Sequence, residues 1–129
     1  AERKSLSEFL AAEDLYVYTV NAFPYGPFKG EIVMERVYEP DWTTDDRVNY
    51  TNSIADILAE ISPAHINPSI QTAPLAFKPN VNSEGYIQLF TRNVFRVVAH
   101  LRALEERTGR RVKLAIENRN ASPSESSFE

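Results

Sequence analysis

The stretch that decides the fold is LYVYTVNAFPYGPFKG, residues 15–30. Its first part, LYVYTV, combines aromatic and β-branched side chains, which favour a buried strand. Two prolines and a glycine follow within residues 24–27, and they cannot continue a ladder. The sequence therefore predicts a strand over 15–20 that stops at Asn21 and passes into a stiff aromatic loop. Parallel α/β sheets present ligand-binding residues on such loops, although the alternative is that the loop aromatics simply pack onto the core.

The composition is that of one ordinary globular domain, with 129 residues, 43% hydrophobic and 25% charged. A net charge of −4 disfavours nucleic acid or an acidic membrane surface as the partner. The absence of cysteine excludes disulfides, thiolate nucleophiles and zinc–cysteine sites. No apolar run approaches the roughly 20 residues that a membrane helix needs, so we expect a cytoplasmic protein without a membrane span.

Hydrophobic periodicity predicts three helices that alternate with three strands. In chain order they are helix 5–13, strand 15–20, helix 45–61, strand 69–72 or 69–73, helix 83–107 and strand 112–116. The order α-β-α-β-α-β implies right-handed crossovers and a parallel sheet. We expect residues 1–121 to form a single α/β domain and the polar stretch SPSESSFE, residues 122–129, to be a disordered tail.

The two long helices carry clear start and stop signals. Thr44 precedes an acidic first turn and predicts an N-cap, and Thr108-Gly109 predicts a helix end. The predicted apolar face of the first is Val48, Thr51, Ile54, Ala55, Leu58 and Ile61. That of the second is Ile87, Phe90, Val94, Val97, Val98, Leu101 and Leu104.

Three strands are too few for a closed barrel of alternating strands and helices, the (β/α) barrel, which needs eight strands and about 250 residues. The sheet would have two open edges, and open edges pair with other chains unless something covers them. We therefore expect a partial (β/α) barrel: a piece of a larger α/β protein, or a chain that associates with copies of itself through its sheet edges.

Polar and aromatic residues follow each predicted strand at the point where the strand ends. Because the carboxyl ends of parallel strands meet at one edge of the sheet, we expect these residues to converge on a site. They are Asn21 with Phe23 and Tyr25, Gln71 with Thr72, and Glu117 with Asn118 and Asn120.

Glu117 is the sharpest candidate for chemistry, because a carboxylate at the rim of a hydrophobic strand can bind a divalent metal or act as a base. The alternative is a surface glutamate where the strand reaches water. Asn21 and Gln71 are expected to orient the hydroxyls of a polyol, or alternatively to cap the loops. Lys78 is a candidate partner for a phosphate or carboxylate, and otherwise a solvated loop lysine.

The absence of several catalytic motifs disfavours some reaction classes. There is no glycine-rich phosphate loop, no GxSxG elbow and no HExxH helix, which argues against nucleotide hydrolysis and serine or zinc peptidase chemistry. His100 is predicted to lie on the helix surface or to be partly packed. His65 is predicted to lie at the amino-terminal end of the second strand, away from the candidate site.

Three segments carry a family resemblance. YVYTVNAFPYGPF (residues 16–28), VYEPDW (37–42) and LAIEN (114–118) resemble the xylose isomerase-like barrels called sugar phosphate isomerases/epimerases. The likeness is greatest to the EboE metabolite-traffic branch and runs in order through most of residues 15–118. NAFPYG and EPDW are its more specific parts, since many α/β proteins have a strand ending like IEN.

The resemblance implies a TIM barrel with a divalent metal, Mn, Mg or Zn, at the carboxyl ends of its strands. Glu117 matches the family's strand-end glutamate ligand. The family's other ligands are an aspartate, a histidine or glutamine, and a second glutamate from later strands, and none can be located in this chain. The resemblance therefore implies a metal in the full-length protein and leaves open whether this chain alone binds one.

Two functions from different classes follow. The first is a segment of a metal-dependent isomerase or epimerase acting on a small sugar or sugar phosphate. Glu117 would ligate the metal and take part in catalysis, and Asn21, Gln71 and Asn118 would position the substrate. The second is a non-catalytic barrel that binds or hands on a small metabolite, with Phe23, Tyr25 and Phe28 in an apolar wall. A fragment without activity of its own is the third possibility.

Overall fold

The computed structural model of the chain describes residues 1–22, 39–73 and 84–117. Outside these ranges lie the predicted tail and the predicted site residues Phe23, Tyr25, Phe28, Lys78, Asn118 and Asn120. The described elements alternate as predicted, and in chain order they are α1 Glu2–Ala12, β1 Thr19–Asn21, α2 Asp45–Ile61, β2 Ser69–Thr72, α3 Glu84–Thr108 and β3 Lys113–Ile116.

The three described strands form one parallel sheet in the order β1-β2-β3, so each strand pairs with the next strand along the chain. Val20 is aligned with Ile70, and Ile70 with Leu114. This row lies on the side of the helices, where Ile70 is fully buried. The predicted α/β class with three parallel strands is confirmed.

The exposed row on the opposite face of the sheet has two amide side chains and one alanine. Asn21, Gln71 and Ala115 are aligned across the three strands, and all three are exposed. Successive residues of a strand point to opposite faces, so the hydrophobic row and the polar row alternate. One face thus builds the core under the helices, and the other presents polar groups.

Helix α2 has the predicted bounds. The side chain of Thr44 accepts a hydrogen bond from the backbone N–H of Arg47, which satisfies one of the free donors of the first turn. The predicted apolar face is confirmed, since Val48, Thr51, Ala55, Leu58 and Ile61 are buried and Ile54 is half-buried.

Helix α3 packs against α2 and buries a narrower stripe than the sequence predicts. Phe90, Val97, Leu101 and Leu104 are buried, but the prediction for Ile87 and Val98 is wrong, because they are 56% and 45% exposed. Those two residues lie on a line along one flank of the helix, outside its contact with α2. The helix ends as predicted, with Gly109 at a φ of +72°.

Strand β1 begins later than the sequence predicts. Pairing with β2 starts where the N–H of Ser69, the first residue of β2, donates to the carbonyl of Tyr18. The residue before β2 is Pro68, which has no N–H to donate to a ladder. Residues 15–18 therefore lead into the sheet, and Tyr16 and Tyr18 are 54% and 64% exposed.

None of the helices in the described ranges combines the length and apolar character that crossing a membrane requires.

An ion pair joins the start of α2 to α3. Arg96 Nη1 lies 2.6 Å from Asp45 Oδ1 and 3.1 Å from Asn93 Oδ1, and it donates a hydrogen bond to each. The hydrogen bond from Arg96, together with its positive charge, holds the pKa of Asp45 below the ordinary value.

Arg96→Gln is expected to return the pKa of Asp45 towards its ordinary value, measured by carbon NMR of the carboxyl group during acid titration. Because the folded-state pKa is lowered, the pair stabilises the fold above the unfolded-state pKa, and the contribution is lost as pH falls through the folded-state pKa. Arg102→Gln is the control, since Arg102 on the same helix contacts Glu106 instead. An unchanged Asp45 titration in Arg96→Gln would contradict the ion pair.

Candidate functional site

The carboxyl edge of the sheet brings three of the predicted strand ends together. Asn21 is aligned with Gln71 in neighbouring strands. The N–H of Ala22 donates to the carbonyl of Gln71 at 2.7 Å, and the N–H of Glu117 donates to the carbonyl of Thr72 at 3.1 Å. Backbone pairing therefore continues past the ends of β1 and β3 to Ala22 and Glu117. It fixes the backbone positions of Asn21, Gln71 and Glu117 relative to one another.

These three side chains belong to one face of the sheet. Asn21 and Gln71 are exposed on the polar face, and alternation along β3 assigns Glu117 to the same face as Ala115. Glu117 is half-buried. Asn21 and Gln71 have amides that both donate and accept hydrogen bonds, and Glu117 has an acceptor two residues beyond Ala115, the residue of β3 that is aligned with Gln71. Groups of this kind can bind the hydroxyls of a polyol.

Thr72 does not belong to this group, and its prediction as a site residue is wrong. It is fully buried on the helix side of the sheet, because it is one residue from Gln71 and successive side chains point to opposite faces. Its Oγ1 has no hydrogen-bond partner in the described part of the chain.

The donor set at the edge does not complete a metal site. Within residues 1–22, 39–73 and 84–117, no three His, Cys, Asp or Glu side chains lie together as ligands. Glu117 is a single carboxylate, and the amide oxygens of Asn21 and Gln71 are weaker ligands for a hard divalent cation. The described residues therefore do not by themselves fit the metal that the resemblance implies.

Behind the edge lies an arginine that the sequence analysis missed. Arg47 is fully buried, and its guanidinium lies over the ring of Tyr50 at 5.7 Å. Its Nε donates to the carbonyl of Pro40 at 2.7 Å, and its Nη1 donates to the carbonyl of Ala22 at 3.0 Å. Arg47 thus ties the end of β1 to the segment that contains the EPDW motif.

The EPDW motif is itself anchored in the core. Trp42 is fully buried, and its carbonyl accepts a hydrogen bond of 2.8 Å from Nδ2 of the buried Asn93 on α3. Asp41 is also buried, and its Oδ1 accepts the N–H of Thr43 at 2.8 Å. Asp41 and Trp42 are therefore part of the core, and their side chains are not exposed at the carboxyl edge.

One signal in the sequence points to Arg47. It lies one helical turn before Thr51, so it continues the line of Thr51, Ala55 and Leu58 on the buried face of α2. An arginine on an apolar helix face is buried only when carbonyls or carboxylates accept its donors. The sequence does not reveal those acceptors, because Ala22 lies 25 residues away along the chain.

The two histidines behave as predicted. His100 on α3 is partly packed, and its Nε2 lies 2.7 Å from Asp56 Oδ1 on α2. His65 lies in the connection before β2, at the amino-terminal end of the sheet, and it is exposed. Neither histidine is at the carboxyl edge.

The fold and its polar edge define a small α/β chain with a parallel sheet. Comparison with models of known protein families finds no match, and neither does comparison with curated proteins or with solved structures.

Proposed function

We propose that the chain is a segment of a xylose isomerase-like (β/α) barrel whose carboxyl edge binds a small carbohydrate or a related metabolite. The sequential order β1-β2-β3 supports this, because in a barrel each strand pairs with the next along the chain. Exposed apolar residues on the flank of α3, Ile87 and Val98, also support it, since a further helix of a barrel would cover such a flank.

The observation that carries the proposal is the alignment of Asn21 with Gln71 on the face of the sheet to which strand alternation assigns Glu117. Asn21 and Gln71 would hold vicinal hydroxyls of the ligand, each through a donor and an acceptor. Glu117 would accept a further hydroxyl hydrogen bond, and hydrogen bonds to a charged group are the stronger ones. Phe23, Tyr25, Lys78 and Asn118, expected at the same edge, would add an apolar wall, a cation for a phosphate and a further amide.

An isomerase or epimerase would use this edge for proton transfer. Glu117 is the candidate base, which would take the proton from the hydroxyl-bearing carbon next to a carbonyl group and return it to the former carbonyl carbon, while the hydroxyl proton moves to the former carbonyl oxygen. Inversion at that carbon would require a second acid on its other face. The resemblance implies the other role for Glu117, as one ligand of a metal that would supply polarisation of the carbonyl when bound. The described residues do not complete a ligand set for it.

A non-catalytic metabolite-binding barrel is the second candidate. The observation in its favour is that the described part of the edge offers one carboxylate and two neutral amides, a set that suits hydrogen bonding to hydroxyls better than metal chemistry. Turnover separates the two candidates. Conversion of a pentose or hexose phosphate on addition of Mn²⁺ would favour the isomerase, and binding without conversion would favour the carrier.

Glu117→Gln is expected to weaken binding of ribose 5-phosphate about tenfold or more, because it replaces a charged acceptor with a neutral amide of the same shape. Titration followed by amide NMR measures the affinity and shows whether residues 21, 71 and 117 respond together. Glu106→Gln is the matched control, since Glu106 is an exposed glutamate on α3. Equal affinity of the two variants, or a response confined to other residues, would overturn the proposed site.

A further inference from the structure

A groove lies at the other end of the sheet, where the strands begin. It has a volume of about 510 Å³, and Tyr16, Tyr18, His65, Ser69 and Lys113 contribute to its lining. Ser69 and Lys113 are the first residues of β2 and β3, and Tyr18 immediately precedes β1. The groove is therefore separate from the carboxyl edge, and it is open to the surface.

Aromatic rings form one side of the groove. The ring of Tyr16 lies 6.5 Å from that of Tyr18 and 6.3 Å from that of His65, and it meets the imidazole edge-on. Both tyrosines are more than half exposed. Exposed rings that lie close together offer a planar ligand offset-stacked or edge-on contacts, which strengthen binding beyond the area that they bury.

The charge of the groove differs from that of the chain. The chain carries a net charge of −4, but Lys113 is the one Lys, Arg, Asp or Glu among the described residues that line the groove. No carboxylate in the described ranges lies within ion-pair distance of Lys113. An anionic group of a ligand would find this ammonium available, with the Ser69 hydroxyl beside it donating to Thr19 Oγ1 at 2.9 Å.

We infer that this amino-terminal groove binds a planar aromatic anion, whose ring contacts Tyr16 and Tyr18 and whose carboxylate contacts Lys113. The ligand class follows from the combination, since the rings select a flat apolar body and the lysine selects a negative charge. The groove shares no residue with the carboxyl edge, so this inference is independent of the proposed carbohydrate site.

The test is an amide NMR titration of the chain with 2-naphthoate, with 2-naphthamide as the neutral analogue and cyclohexanecarboxylate as the non-aromatic anion. Naphthoate is expected to bind about fivefold more tightly than either, and its shift changes should cluster at residues 16–18, 65–69 and 113. Shift changes elsewhere, or equal affinity for naphthoate and naphthamide, would overturn the inference.

Variants separate the two parts of the recognition. Lys113→Gln should remove the preference for naphthoate over naphthamide, whereas Lys4→Gln, an exposed lysine on α1, should keep it. Tyr16→Ala should weaken both naphthyl ligands about tenfold, whereas Phe95→Ala, an exposed aromatic residue on α3, should leave them unchanged. If either variant behaves like its control, the groove is not the site.

Discussion

Arg47→Met is expected to lower the free energy of unfolding by about 3 kcal/mol or more. The guanidinium is fully buried and donates to the carbonyls of Pro40 and Ala22. Methionine fills similar space but leaves both carbonyls without this donor, and a buried carbonyl that loses a charged donor bears its full desolvation cost. Urea unfolding followed by the fluorescence of Trp42, the chain's single tryptophan, measures the change.

Two further variants make this expectation specific. Arg47→Lys keeps the charge but has no planar fork to reach two carbonyls, so we expect it to lose most of the same stability. Arg111→Met is the control, because Arg111 is exposed and contacts Glu105 at 3.0 Å. Exposed pairs contribute at most about 1 kcal/mol. A loss in Arg47→Met no larger than in Arg111→Met would show that the buried arginine does not stabilise the fold.

The same substitution bears on the candidate site. Arg47 holds the carbonyl of Ala22, and Ala22 directly follows Asn21 at the carboxyl edge. Loss of this contact should shift the amide signal of Asn21 and weaken carbohydrate binding, although Arg47 touches no ligand in the proposed site. In the proposed site Arg47 would therefore be a positioning residue. Unchanged binding in a folded Arg47→Met variant would restrict its role to stability.

The part of the fold that periodicity governs could be predicted from the sequence. Helix α2 has the predicted bounds because Thr44 caps its start and the apolar spacing continues to Ile61. The parallel sheet followed from the alternation of strands with long helices. The flank of α3 was predicted less well, because the apolar character of Ile87 and Val98 gives no information on which neighbour would cover them.

The placement of the strand ends at one edge of the sheet was predicted, but the contacts that hold this edge were not. Parallel topology was sufficient to expect Asn21, Gln71 and Glu117 at one edge, since it requires only that the strands point the same way. Thr72 was misplaced because its face depends on the register of a four-residue strand. The contacts of Arg47 and Asn93 connect residues 25 and 51 positions apart, and no local pattern encodes such contacts.

Trp42→Ala is expected to lower the free energy of unfolding by about 3–5 kcal/mol, the usual cost of removing a large buried aromatic side chain. Trp42 is fully buried in the core cluster with Val48 and Ile70. Its backbone carbonyl would keep the hydrogen bond from Asn93, so the loss would come from packing. Circular dichroism during urea unfolding measures it, because the variant lacks the fluorophore.

Trp42→Phe tests a further property of this side chain. In the described part of the chain the indole Nε1 of Trp42 is buried without a hydrogen-bond acceptor. Leaving such a donor unpaired costs about 1–3 kcal/mol. Phenylalanine removes that donor, which stabilises the fold, and also part of the buried ring, which destabilises it. We expect a net decrease in the free energy of unfolding below about 2 kcal/mol.

A decrease in Trp42→Phe equal to that in Trp42→Ala would mean that the N–H contributes a stabilising hydrogen bond. A much smaller decrease would mean that Trp42 stabilises the fold through the packing of its ring, and that the unpaired indole N–H is destabilising.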